Sequence, residues 1–245
     1  MITLQHNTAP AVPEQAAWAG LQVVLLCLLG GTVGLGPPGW LVGLAYGFGT
    51  WVLLSAAMVR FRVRALGPAD RVTLGRGVLV GGVTALVVDG AGTTVLVVLA
   101  SVALALDFVD GRVARRTGTT SPLGARFDME VDAFLILVLS VHVAGTFGPW
   151  VLAIGAMRYA FVAASAVAPW LRGELPPSFA RKAVAAVQGV LLVAAASGIV
   201  PFADVFVGLA LAALVWSFGR DVRRLRRSRV PVATAATPVK GCSRV

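Results

Sequence analysis

The sequence predicts an all-α integral membrane protein, and its composition and the lengths of its apolar runs carry that prediction. Of the 245 residues, 58% are hydrophobic and only 13% are charged, whereas about a quarter of the residues of a soluble domain are charged. The net charge of +10 does not indicate a nucleic-acid partner, because the basic residues lie between apolar runs rather than on a soluble surface. The composition therefore indicates a lipid bilayer as the environment.

Cysteine and histidine are too sparse for a disulfide framework or a zinc or haem site. Cys27 and Cys242 are far apart, and His6 and His142 are isolated in sequence. The first residues lack a basic stretch before the first apolar run, so we expect that run to remain as a membrane anchor.

Eight apolar runs have lengths near the 17–25 residues that cross a bilayer. They are residues 16–35, 38–59, 72–88, 93–110, 127–147, 149–170, 183–200 and 202–219. Gly and Pro separate several of them, as in Gly36-Pro37-Pro38-Gly39 and Gly148-Pro149, which is typical of tight turns.

The distribution of Lys and Arg predicts the orientation of these runs. Twenty of the 21 lie at 60–76, 112–126, 172–182 and 220–244, and the intervening connections contain none. Because short cytoplasmic loops carry the excess of Lys and Arg, we expect eight transmembrane helices with both termini in the cytoplasm, in the cell membrane. The exception is Arg158, within an apolar run.

The predicted organisation has four parts. Residues 1–59 form an extension of two transmembrane helices, which precedes a six-transmembrane-helix catalytic core at 72–219. A basic connector at 60–71 joins them along the membrane surface, and a basic cytoplasmic tail occupies 220–245. The simplest role of the tail's charge is to anchor the orientation, with binding of anionic lipid headgroups as a second interpretation.

Four aspartates gather in the segment DFVDGRVARRTGTTSPLGARFDMEVD, between the fourth and fifth runs. Asp107 and Asp110 are three residues apart and Asp128 and Asp132 four apart, so each pair shares a helix face. Converging carboxylates repel one another unless a cation lies among them. The sequence favours a hard divalent cation, Mg²⁺ or Mn²⁺, over the alternative that the aspartates only pair with neighbouring arginines.

The same segment resembles the signature of the CDP-alcohol phosphotransferase (CDP-alcohol phosphatidyltransferase) family, membrane enzymes of phospholipid synthesis. The pattern D-x2-D-G-x2-A-R-x8-G-x3-D-x3-D is matched at all eight positions: Asp107, Asp110, Gly111, Ala114, Arg115, Gly124, Asp128 and Asp132. A shorter stretch, GPADRVTLGR, resembles the N-x-x-T-x-x-R entry of many members, with Asp70 in place of Asn and with Thr73 and Arg76 matching. A helix start capped by Asp70, with an arginine at the interface, explains that stretch equally well.

The resemblance implies a mechanism and a set of site residues. A CDP-linked donor binds to one or two divalent ions, the acceptor hydroxyl attacks the β-phosphorus, and CMP leaves. The implied metal ligands are Asp107, Asp110 and Asp128, and the implied general base is Asp132. The implied nucleotide and donor contacts are Gly111, Ala114, Arg115, Ser121 and Gly124.

The acceptor site is indicated by basic residues in the second half of the chain. Arg158 is costly inside an apolar run unless it faces a polar cavity or pairs with a carboxylate such as Glu130. With Arg181 and Lys182, it is a candidate ligand for the phosphate of a phosphorylated alcohol.

The expected function is transfer of a phosphatidyl group from CDP-diacylglycerol to a phosphorylated polyol at the cytoplasmic face. The reverse pairing, a CDP-alcohol with diacylglycerol, is the alternative within the enzyme class, and a cation transporter with a carboxylate site is the alternative of another class. The resemblance also implies a homodimer.

Overall fold

A computed structural model of the chain describes residues 11–62, 66–117, 122–173 and 179–228. These residues form eight α-helices and two short 3-10 helices, and none of them lies in a β-strand. The α-helices are α1 (Ala11–Val33), α2 (Pro37–Phe61), α3 (Pro68–Asp89), α4 (Thr93–Thr117), α5 (Pro122–Phe147), α6 (Leu152–Val167), α7 (Phe179–Ala196) and α8 (Ala203–Ser228). The all-α prediction is confirmed.

Each predicted apolar run overlaps a helix, and six of these helices contain a described apolar stretch long enough to span a bilayer. Six helices contain apolar stretches of 19 residues or more: α1, α2, α3, α5, α8, and α6 together with the 3-10 turn Pro149–Val151 before it. The apolar stretches described in α4 and α7, Thr93–Asp107 and Ala183–Ala196, are shorter. The apolar helices indicate a multi-pass membrane protein, and the count of eight spans stays a prediction.

Several helices begin at a proline or end at a glycine. Pro37 and Pro68 stand in the first turns of α2 and α3, where the missing N–H is no loss. Gly90 ends α3 with a φ of 72°, a left-handed conformation that glycine adopts without strain. The connector predicted at 60–71 is helical at its two ends, since α2 continues to Phe61 and α3 begins at Pro68; residues 63–65 lie outside the described residues.

Helix α3 is the central helix of the bundle. It packs against α1, α2, α4 and α5, and most of its side chains from Ala69 to Leu86 are buried. The predicted two-helix extension therefore packs directly on the helix at which the core begins. In the second half of the chain, α7 packs against α8, α5 and α4, while α6 packs mainly against α5.

Close helix contacts depend on glycine, as is common where lipid supplies no hydrophobic drive for helix association. A Cβ on Gly155 of α6 would stand 2.5 Å from the Cα of Leu137 on α5. A Cβ on Gly81 of α3 would stand 2.5 Å from Nε2 of Gln22, a buried side chain of α1. The backbones of α5 and α6 can therefore approach only because residue 155 has no side chain.

We expect Gly155→Ala to lower the thermal unfolding temperature in detergent, because the added methyl group must push α6 away from the α5 backbone. Overpacking of this kind costs about 1–3 kcal/mol. Gly208→Ala in α8 is the control, since no atom lies within 4 Å of the position of its Cβ. Tryptophan fluorescence measures both melts, and equal melting temperatures for the two variants would contradict the close contact.

Candidate active site

The site begins with the local structure at the entry to α3. Gly67 is the N-cap residue, and the carboxylate of Asp70 accepts a hydrogen bond of 2.9 Å from its backbone N–H. Asp70 thus occupies the third helical position rather than the N-cap predicted from the sequence. Thr73 Oγ1 donates to the Ala69 carbonyl at 3.2 Å. These bonds hold the first turns of α3 and place Arg76 two turns inside the helix.

Arg76 is the largest fully buried side chain among the described residues, with 0% of it exposed. Its Nη1 lies 3.1 Å from an oxygen of Asp107 on α4. The same nitrogen donates to Asp128, and Nη2 donates to Asp132, both on α5. One guanidinium from α3 therefore joins carboxylates from two other helices.

The three aspartates form a cluster with one open side. Asp107, Asp128 and Asp132 each present an oxygen, and these oxygens lie within 4.8 Å of one another. Their side chains are 36%, 36% and 41% exposed, whereas Arg76 is fully buried. The guanidinium thus lies beneath the carboxylates, and the side away from it is open to ligands.

The charge of this group favours a divalent cation. Three carboxylates and one guanidinium, which stays protonated in proteins, have a formal sum of −3 + 1 = −2. The donor atoms are carboxylate oxygens only, the ligands that hard ions such as Mg²⁺ and Mn²⁺ prefer. The residues present therefore fit the divalent ion that the sequence predicts.

The structure brings together part of the predicted metal and base set. Asp107 and Asp128, predicted as metal ligands, meet Asp132, predicted as the base. Asp110 lies on α4, but its side chain is outside the described residues. The division of roles among the four aspartates remains a prediction.

The predicted nucleotide contacts are described only in part. Gly111 and Gly124 are partly buried on α4 and α5, each within one turn of an aspartate of the signature. The side chains of Ala114 and Arg115, and the whole of Ser121, lie outside the described residues.

The predicted acceptor arginines are both in ion pairs. Arg158 on α6 lies 2.5 Å from Glu130 on α5, the pairing that the sequence left open as its alternative role. Arg181 on α7 lies 3.4 Å from Asp221 on α8. The Lys182 side chain lies outside the described residues. Neither arginine contact involves Asp107, Asp128 or Asp132.

Sequence reasoning did not assign Arg76 to the site. It counted this residue with the cytoplasmic arginines and matched it only as part of a helix entry. A usable signal was present, because Arg76 falls inside the predicted run 72–88, where an arginine requires a polar partner. Which partner it meets depends on helix packing.

Comparison with known proteins identifies the family. The model of the CDP-alcohol phosphatidyltransferase family matches residues 67–217, more than half of the chain and a range that contains Arg76 and all four aspartates. No curated protein and no solved structure matches the chain. Members of this family are transferases that move a phosphatidyl-type group from a CDP-linked compound to an alcohol, typically with a divalent metal ion.

The extent of this match and the aspartate cluster within it lead to one conclusion: the chain belongs to the CDP-alcohol phosphatidyltransferase family.

Proposed function

We propose that the protein transfers the phosphatidyl group of CDP-diacylglycerol to the hydroxyl of a phosphorylated polyol and releases CMP. The observation that carries the proposal is the convergence of Asp107, Asp128 and Asp132 on the buried Arg76, within the residues that match the family. The cluster lies in the second half of α4 and the first half of α5, the halves nearer the basic region 112–126 that the distribution of basic residues predicts to be cytoplasmic.

The reaction balances with one proton transfer and one displacement at phosphorus. Asp132 accepts the proton of the acceptor hydroxyl, and the acceptor oxygen forms a bond to the β-phosphorus of the donor. The bond from that phosphorus to the oxygen bridging to the α-phosphate breaks, and CMP leaves with this oxygen. The products are a phosphodiester and CMP.

Asp107, Asp110 and Asp128 would hold one or two divalent ions, Mg²⁺ or Mn²⁺, which when bound neutralise the charge of the pyrophosphate and of the leaving CMP. Arg76 Nη2 donates to one oxygen of Asp132. A carboxylate has a second oxygen, and we assign that oxygen to the acceptor hydroxyl.

Arg76 acts as a positioning residue in this proposal. Its guanidinium is held in the buried interior of α3, and it binds carboxylates of both α4 and α5. Because the three carboxylates repel one another, a buried cation beneath them is needed to keep their oxygens within 4.8 Å.

The donor and acceptor sites extend from this cluster. Gly111, Ala114 and Gly124 would leave room for the cytidine, and Arg115 and Ser121 would contact the diphosphate. Arg158, Arg181 and Lys182 remain the proposed ligands of the acceptor phosphate. Since Arg158 and Arg181 already pair with Glu130 and Asp221, that phosphate would share each arginine with a carboxylate.

The proposal includes the topology and assembly predicted from the sequence. Eight transmembrane helices with both termini in the cytoplasm place the four basic regions on one side. A homodimer in the cell membrane is the assembly that the family resemblance implies.

Two other functions are less well supported. A CDP-alcohol with diacylglycerol as acceptor would use the same aspartates, but it gives no role to the basic residues proposed for an acceptor phosphate. A cation transporter would be expected to hold its charges at broken helices, whereas these aspartates lie on two continuous helices, α4 and α5.

The substrate assignment is tested with purified protein, CDP-diacylglycerol and a panel of alcohols, with and without a phosphate group. We expect Mg²⁺- or Mn²⁺-dependent release of CMP with phosphorylated polyols. Release only from a CDP-alcohol with diacylglycerol would establish the alternative pairing. No release from any pair would contradict the enzyme assignment itself.

Asp132→Asn should reduce CMP release by roughly 10²–10⁴-fold, the usual contribution of a general base. The amide oxygen can still accept from Arg76, so the melting temperature should remain close to that of the parent. Asp204→Asn, at an exposed position on α8, is the control for a lost carboxylate outside the cluster. Full activity of Asp132→Asn would contradict its role as the base.

Arg76→Gln should weaken Mn²⁺ binding by roughly 10–100-fold, as expected when a residue that orients metal ligands is lost. Electron paramagnetic resonance of free Mn²⁺ measures this without any turnover. Arg71→Gln removes one charge from the exposed side of the same helix and should leave the affinity within about twofold.

Arg76→Lys distinguishes positioning from simple charge compensation, because lysine retains the charge but not the planar donors that reach three carboxylates. We expect it to recover part of the thermal stability lost in Arg76→Gln and little of the Mn²⁺ affinity. Mn²⁺ binding at the parent's affinity in Arg76→Gln would show that the aspartates need no positioning by this residue.

A further inference from the structure

The end of α8 carries a basic face that the proposed reaction does not use. Arg220 and Arg223 each have a second arginine four residues later, Arg224 and Arg227, so the four lie on one side of the helix. Together with Trp216 they line one shallow, open cleft. We call this surface the α8 basic face.

The Arg220 guanidinium is held against this face and has one donor without a partner. Arg220 stacks on the Trp216 ring, with its Cζ 4.9 Å from the ring centre. The Nε of Arg220 is buried and has no hydrogen-bond partner among the described residues. The nearest carboxylate oxygen, on Asp221, is 4.0 Å from that Nε, and Asp221 already pairs with Arg181. The arrangement therefore leaves one donor of Arg220 without an oxygen acceptor among the described residues.

The same side of α8 is apolar over about the four preceding turns. Val205, Leu209 and Trp216 are 53%, 61% and 57% exposed, and each lies close to a whole number of turns from Arg220. Exposed apolar side chains of a membrane helix contact lipid chains. Tryptophan is enriched at the membrane interface, between the lipid chains and the headgroups. This face of α8 thus complements an anionic phospholipid. Its apolar part can contact the lipid chains, and its cationic cleft can contact the headgroup.

Anchoring of the helix orientation alone does not explain this arrangement. The positive-inside rule depends on the number of basic residues and not on the side of the helix that they occupy. Arg226 is equally exposed on α8 but does not line the cleft. Four arginines around one concave surface are instead the usual arrangement for an oxyanion such as phosphate.

We propose that the α8 basic face binds the phosphate of an anionic phospholipid in the adjacent leaflet, with the lipid chains lying along Val205, Leu209 and Trp216. The site is separate from the aspartate cluster and does not depend on the proposed reaction.

The experiment uses the full chain in mixed micelles and titrates brominated phosphatidylglycerol or brominated phosphatidylcholine, which quench nearby tryptophans. The part of the quenching that disappears in Trp216→Phe reports on this face. We expect phosphatidylglycerol to quench Trp216 at much lower mole fractions than phosphatidylcholine. Arg223→Gln/Arg227→Gln should weaken that binding roughly thirty-fold, since each basic residue near an anionic surface contributes about fivefold.

The matched control is Arg60→Gln/Arg226→Gln, which removes the same charge from exposed positions outside the cleft and should retain the preference. A melting temperature unchanged in both double variants shows that the fold is intact. An equal loss of preference in both would assign the effect to bulk charge and overturn the proposal. Displacement of the lipid by inorganic phosphate at constant ionic strength would assign the cleft to a free phosphate compound and also overturn it.

Discussion

The buried guanidinium of Arg76 is the constraint to which the rest of the site conforms. It is fully enclosed in the bundle and remains protonated, so burial would cost several kcal/mol without carboxylates around it. Helices α4 and α5 supply them through Asp107, Asp128 and Asp132. The contact therefore determines which parts of α3, α4 and α5 lie together. It leaves a cluster with a formal charge of −2 and one open side, which suits a divalent ion and a pyrophosphate.

The helices that surround this contact are held by close packing rather than by hydrophobic exclusion from water. Gly155 allows α6 to approach the α5 backbone, and Gly81 allows the amide of Gln22 to lie against α3. Through the second contact, the added helix α1 supports the helix that carries Arg76. In lipid, such small-residue contacts supply much of the association energy, so the two added helices extend the scaffold of the site.

Among the described residues of the second half of the chain, charges occur in ion pairs between helices and on the α8 basic face. Arg158 with Glu130 and Arg181 with Asp221 join helix to helix, which compensates each charge where the surroundings are apolar. The α8 basic face is different, because its guanidinium groups line a cleft open to solvent. Arg158 and Arg181 therefore contribute to the fold through their ion pairs, whereas the arginines of the α8 basic face are suited to bind an external phosphate.

The sequence by itself determined the helical segments, their punctuation by Gly and Pro, and the family, because apolar length and the spacing of eight signature residues are local properties. It also predicted that Asp107 and the Asp128–Asp132 pair would be near one another, since a short connection joins their helices. Only the tertiary structure decided that Arg76, 52 residues before Asp128, lies beneath them, and that Arg158 meets Glu130. Helical spacing defines which residues share a face, but the direction of that face depends on how the helices pack.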